Sequence, residues 1–188
     1  MLNPNWPKGN PMNELCWSEN EYCKASENWC FLSKTEAESE AWEYAKKKGL
    51  HLVTVCPALI IGPMLQSTVN ASSSILLKIL KDGAETMVNK DQRIVDVRDV
   101  TRAVLLAYEK CEAEGRYICS AYMVKTQDLI EKLKTMYPKY NYPQKITEAD
   151  DQPKLNCEKM QKLGWTHRTL EECLTDSVIC YQEKGILD

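Results

Sequence analysis

The strongest pattern in the chain runs over residues 27–48. Helix formers fill its middle (Glu36, Ala37, Glu38, Glu40, Ala41, Glu43 and Ala45), and Lys46, Lys47 and Lys48 close it before Gly49. This spacing predicts a helix with a glycine stop. The apolar, β-branched run over 50–55 predicts a buried strand ending at Pro57, and 58–61 carries the run on to the turn pair Gly62-Pro63. Asn70 is placed to cap a helix over 71–81 that Gly83 stops. A short strand is expected over 94–97. Asp99 is expected to open a helix to about residue 110, with Val100, Ala103, Val104 and Ala107 on one stripe. Further elements are a strand over 116–119, helices over 126–136 and 156–163, and a last helix that Thr169 and Glu172 open as a capping box and Gly185 follows. Residues 1–25 show no sustained period and read as surface loop, with one turn at 18–22.

Strands alternating with helices argue an α/β chain with a parallel component. The strands are few and most helices come late, whereas a doubly wound sheet needs more strands at its centre. The pattern therefore fits part of such a fold better than a whole one. Leu52, Val53, Val55, Leu59, Ile60 and Ile61 lie on strands that a complete sheet would cover on both faces. An edge left without a partner strand invites self-association.

A hydrophobic share of 44% and a charged share of 27% are those of an ordinary soluble globular domain. The net charge of −3 gives no electrostatic footprint for nucleic acid. The lysine run at 46–48 suits a helix C-terminus and needs no binding role. No apolar run is long enough to span a membrane, and the first residues lack the basic and apolar regions of a signal peptide, so a cytoplasmic location is expected. Of the nine cysteines, none form Cys-x-x-Cys, and His51 and His167 lie far from any pair. No metal site is expected, and in a reducing compartment the thiols should be free.

One spacing carries chemistry. Cys30 precedes Lys34 by four residues, within Asn28-Trp29-Cys30-Phe31-Leu32-Ser33-Lys34. Positions i and i+4 share a helix face. A tyrosine and a lysine so placed make a reduction site, because the ammonium favours the phenolate. Here the lysine is present and a thiol stands for the phenol. Read with Asn3-Pro4-Asn5-Trp6-Pro7, Val55-Cys56-Pro57-Ala58-Leu59-Ile60-Ile61-Gly62-Pro63, Val95-Asp96-Val97-Arg98-Asp99-Val100 and Glu114-Gly115-Arg116-Tyr117-Ile118-Cys119, this segment resembles the C-terminal part of the plant cinnamoyl-CoA reductase-like proteins, of the extended short-chain dehydrogenase/reductase family. The resemblance runs from about Asn3 to Asp188.

The resemblance implies the C-terminal part of a Rossmann-type fold, with an incomplete parallel sheet, helices, and a small, mostly helical substrate lobe. Residues 1–188 would form a single α/β region: a loop-rich entry over 1–26, the rest of the sheet and helices over 27–120, and the lobe over 121–188. The implied cofactor is NADP(H), and the implied substrate a phenylpropanoid aldehyde or CoA thioester. Lys34 matches the catalytic lysine, which also contacts the nicotinamide ribose. Pro57, Ala58, Leu59 and Ile60 match a segment along the nicotinamide. Ser72 and Ser73 match positions near the cofactor's ribose or phosphate. Lys78 matches a substrate-helix lysine whose companion histidine is replaced by Ile75.

Two departures set the expected activity. Cys30 stands where the family has its catalytic tyrosine. A thiol ends far closer to the backbone than a phenol does, so Cys30 is expected to be buried and inert. The implied first half, with its phosphate loop and catalytic serine, has no counterpart here: no Gly-x-Gly-x-x-Gly occurs in the chain. Weak or absent NADP(H) binding is the expectation. Family relatives also carry a redox-sensitive cysteine pair; here Cys23 holds one position, Phe31 the other, and a Cys23–Cys30 pair is the nearest substitute. Two functional classes follow: a reductase by descent with compromised catalysis, or a non-catalytic chain serving as a binding or interaction protein.

Overall fold

The computed structural model describes residues 1–188 apart from 82 and 84. Helices α1 (Asn20–Ala25) and α2 (Trp29–Lys48) come first, then strands β1 (Val53–Pro57) and β2 (Leu59–Ile61). Next are α3 (Ala71–Leu80), β3 (Thr86–Asn89), β4 (Asp91–Asp96), α4 (Val97–Glu109), β5 (Gly115–Cys119), β6 (Tyr122–Lys125) and α5 (Thr126–Met136). The chain ends with β7 (Lys145–Glu148), α6 (Glu158–Lys162) and α7 (Leu170–Glu183). The α/β reading holds. The strands form three small sheets: β1 with β5, β2-β4-β6, and β3 with β7. Strand β2 runs parallel to β4 and β3 parallel to β7, while β6 lies antiparallel on β4.

Two compact units are present. The first comprises Met1–Cys56, Val104–Ile118 and Pro153–Gly164. In it α2 lies beside α1, and Met12 bridges to Leu155, its amide donating to the Lys154 carbonyl at 2.7 Å. Strand β5 is closed along one edge by side chains. Glu14 Oε1 accepts from the Ile118 amide at 3.2 Å, and Lys159 Nζ donates to the Arg116 carbonyl at 3.0 Å.

The second unit comprises Pro57–Ala103, Cys119–Gln152 and Trp165–Asp188. Its core joins Leu76, Leu77, Ile79 and Leu80 of α3 with Leu129, Ile130 and Leu133 of α5 and with Leu174, Val178 and Tyr181 of α7, against Ile61 and Ile94. Asn70 caps α3 as expected, accepting from the Ser73 amide at 2.8 Å. The capping box of α7 is also present, with both bonds between Thr169 and Glu172 formed.

The cap of α4 differs from expectation. Asp96, not Asp99, accepts from the first-turn amide of Arg98, at 2.8 Å, and it also binds the Arg98 guanidinium at 2.7 and 2.9 Å. Asp99 is 2% exposed and takes the Arg168 amide and guanidinium instead, and its carbonyl accepts from Trp165 Nε1 at 2.8 Å. The turn after β2 needs a glycine. Gly62 has φ 121°, and a Cβ there would lie 3.2 Å from Asp96 Oδ2. Other shifts are local. Leu50 is exposed and β1 starts only at Val53; the turn at 18–22 is the short helix α1; Val104 faces out of α4.

Two outcomes test this packing. Leu174→Ala removes a fully buried side chain and should destabilise the second unit by about 3 kcal/mol in urea unfolding. Although burial opposes ionisation at Asp96, hydrogen bonds from Arg98 hold its carboxyl below the ordinary value of 3.8. Its contribution is therefore complete above that value and is lost as pH falls through the lower, folded-state value. Asp96→Asn should flatten that acid limb of the stability profile while lowering stability at pH 7.

Candidate active site

Helix α2 carries the candidate site, and its register is set from its inward face. Leu32 and Ala45 are buried, with Thr35, Glu38 and Trp42 half-buried between them. The helix ends where Gly49 takes a left-handed φ of 64° and its amide returns to the Ala45 carbonyl. Glu38 is the polar centre of that face. Its Oε1 accepts from Arg116 Nε at 2.9 Å and Thr54 Oγ1 at 2.6 Å, and its Oε2 from Arg116 Nη2 at 3.1 Å. Arg116 Nη1 spans to the carbonyls of Glu14 at 2.7 Å and Cys16 at 2.9 Å. The guanidinium carbon lies 3.9 Å from the Trp17 ring centroid. The pair side chains are only 10% and 15% exposed. Burial raises the Glu38 carboxyl, and the bonds from Arg116 and Thr54 outweigh it, so the group ends below its ordinary value.

This network therefore fixes β5, β1, the 14–17 segment and α2 together, and with them the outward residues of α2. Sequence reading did not single it out. The signal was there: an arginine inside the apolar strand segment Gly115-Arg116-Tyr117-Ile118-Cys119 needs an acid partner.

Cys30 sits in the first turn of α2 and Lys34 one turn on, both exposed. The expectation of a buried Cys30 is thus corrected: the thiol is exposed, as are its neighbours Trp29 and Phe31, at 60% and 41%. Among the described residues Lys34 makes no ion pair. Cys23 is fully buried in α1, and both Cys23 and Cys30 are free thiols.

The other site residues lie in the second unit. Pro57 is exposed at the end of β1, and the Ala58 amide donates to the Cys119 carbonyl at 2.9 Å. Leu59 and Ile60 are half-buried in β2, paired with Ile94 and Val95. Ser72 is half-buried in the first turn of α3. Ser73 is 2% exposed and lies beside Tyr181, so its side chain is part of the core. Lys78 is exposed on the same helix. Among the described residues no cluster of His, Cys, Asp and Glu could hold a metal ion, and no helix is long and apolar enough to cross a membrane.

Cinnamoyl-CoA reductase 1 of Petunia hybrida is 40% identical over 190 residues, a match that takes in 99% of this chain and 57% of the relative. Over nearly its whole length the chain is similar to the plant cinnamoyl-CoA reductases. It spans a little over half the length of the curated relatives it matches. No protein-family model matches it. Vestitone reductase from alfalfa (Medicago sativa) superposes with a TM-score of 0.81 at 25% identity, over 97% of this chain and 62% of that one. The yeast methylglyoxal/isovaleraldehyde reductase, solved with NADPH, shares the fold with a TM-score of 0.79 at 24% identity, over 96% of this chain and 59% of that one. The α/β fold with its parallel strands is therefore the one these solved reductases share.

Arg116→Met should destabilise the first unit by about 3 kcal/mol, because it leaves the half-buried Glu38 charge without its partner. Adding Glu38→Gln should recover part of that loss, which a double-mutant cycle in denaturant measures. Since hydrogen bonds hold the Glu38 carboxyl below its ordinary value of 4.5, the pair's contribution is whole above that pH and is lost as pH falls through the lower, folded-state value.

Proposed function

We propose that this chain is a reductase-family polypeptide whose helix α2 keeps the cationic half of a carbonyl-reduction site and lacks the proton donor. The observation that carries the reading is the pair on the helix: Lys34 exposed and, among the described residues, in no ion pair, one turn after an exposed Cys30. The supporting likeness is to enzymes named for reducing cinnamoyl-CoA and vestitone. The substrate class is a phenylpropanoid-type aldehyde or CoA thioester, and the location cytoplasmic. The replacement of His by Ile75 ahead of Lys78 argues for an aldehyde or ketone over a hydroxycinnamoyl-CoA.

The fit to NADP(H) is partial. Lys34 suits a ribose hydroxyl, and Pro57, Ala58, Leu59 and Ile60 suit the nicotinamide side. NADP(H), when bound, supplies a hydride. For the pyrophosphate this chain offers no glycine-rich turn, and Ser73, buried against Tyr181, presents no hydroxyl to it. Tight binding by these residues alone is not part of the proposal. Catalysis is compromised at Cys30 for a reason of reach: a thiol on this turn ends too near the helix to protonate a carbonyl that a phenol would meet. A second reading is a non-catalytic interaction protein, favoured by the exposure of Trp29, Cys30 and Phe31 where an active site would enclose its donor.

Calorimetric titration with NADPH should give a dissociation constant weaker than the low-micromolar range, and NADPH oxidation with a cinnamaldehyde substrate should be absent. Cys30→Tyr should restore no turnover in this chain. In a fusion behind the glycine-rich half of a cinnamoyl-CoA reductase it should restore turnover, and Lys34→Ala in that fusion should abolish it. Turnover by the unfused Cys30→Tyr variant, or none by the fusion, would overturn the proposal.

A further inference from the structure

The chain between β2 and α3 is fixed at its two ends and at one point. Gly62, with φ 121°, turns it out of β2, and the Asn70 side chain takes the Ser73 amide at the start of α3. Every residue from Leu65 to Val69 is exposed, Leu65 by 99%. Met64 is the exception. It is 6% exposed, and its side chain joins the core of the second unit. A segment that buries no side chain has little to order it beyond the points where it is tied.

What ties the Met64 peptide is a thiol. Cys180 Sγ, on α7, accepts from the Met64 amide at 3.2 Å and donates to the Met64 carbonyl at 3.7 Å. Among the described residues, 64–69 make no other hydrogen bond within the protein. Cys180 is 8% exposed, and Val178 and Tyr181 beside it on α7 are fully buried, so the mount is rigid. One side-chain atom thus satisfies both polar groups of the residue from which the exposed loop departs.

The chemistry of that atom sets how firmly it holds. A buried amide and carbonyl need partners. Here both are met by sulfur, a weak donor and a weak acceptor. A thiol without partners packs as a small apolar group, so breaking both bonds leaves nothing costly behind on α7. A hydroxyl in its place would bind more firmly and, once released, would be an unpaired polar group in an apolar core.

We propose that Cys180 is the latch of a hinged loop: bonded to Met64 it holds 63–69 in one direction, and released it lets that segment move between Gly62 and Asn70 while the core stays folded. The loop follows Leu59–Ile61, so on the reductase reading the latch sets how the chain leaves the nicotinamide side. That consequence rests on the reading; the latch itself rests on the contacts and is tested without cofactor or substrate, so either can fail alone.

Native-state amide hydrogen exchange on the full chain, followed by NMR in increasing urea, is the test. In the unaltered protein the Met64 amide should exchange at least about tenfold more slowly than that of Leu65, through an opening that low urea does not accelerate. The amides of Leu174 and Val178 should exchange only with the steep urea dependence of global unfolding. Cys180→Ala should speed exchange at Met64 at least about tenfold, and at Leu129 and Leu133 in α5 less than about twofold. Cys180→Ser keeps a donor and an acceptor on one atom and should restore most of the protection. Val178→Ala weakens the core under the same helix and should leave Met64 in low urea within about twofold of the unaltered protein. An unprotected Met64 amide, a urea dependence there as steep as that of α7, indifference to Cys180→Ala, or an equal response to Val178→Ala would overturn the proposal. The first two outcomes need no variant, so they decide it even where Cys180→Ala does not fold.

Discussion

The Glu38–Arg116 pair is the constraint around which the first unit is built. One guanidinium meets the carboxylate of α2, the carbonyls of Glu14 and Cys16, and the face of Trp17. A charge buried to this degree costs stability unless each of its donors is satisfied, and here each is. Register is what the pair contributes. Helix α2 has little amphipathic preference for one rotation, since Leu32 and Ala45 are its only buried residues. Rotation by one residue would carry Glu38 away from Arg116 and move Cys30 and Lys34 to another azimuth. The placement of Cys30 and Lys34 is thus determined from the adjoining inward face by a contact that shares no atom with them.

The second unit is held by a conventional apolar core, with charge used at one helix start. Asp96 fixes the amide and guanidinium of Arg98, and Arg98 continues to Asp176 at 2.7 Å, linking the start of α4 to α7. Burial, with Asp96 beside it, pushes the Cys173 thiol far upward, so that cysteine behaves as a small apolar group. Of the nine cysteines, conspicuous in the sequence, most are buried and packed in this manner.

Legibility in the sequence followed the range of the interactions. Elements with local signals were readable: α2 with its glycine stop, the Asn70 cap of α3, the Thr169–Glu172 box of α7, and the extent of α5. Strands β3, β6 and β7 were not. Each has four residues, and a segment such as Lys145-Ile-Thr-Glu becomes a strand only because Thr86–Asn89 pairs with it across the fold. The cap of α4 was misassigned because Asp96 and Asp99 are equally good capping residues, and the choice was made by Arg168, distant in sequence. At the candidate site, motif spacing placed Cys30 and Lys34 on one helix face. The exposure of Cys30 was not readable, since it depends on which surfaces the rest of the chain covers.

The closed outer edge of β5 has a consequence for how this small sheet can grow. Glu14 occupies the Ile118 amide and Lys159 the Arg116 carbonyl, so the positions a new strand would use there are taken. A sheet that accepts strands on one margin only is a terminating unit. Whatever pairs with β1 finds no second template behind it, and successive copies cannot add one after another into a fibre. Two side chains placed for local hydrogen bonding thereby close that margin of the sheet to further strands.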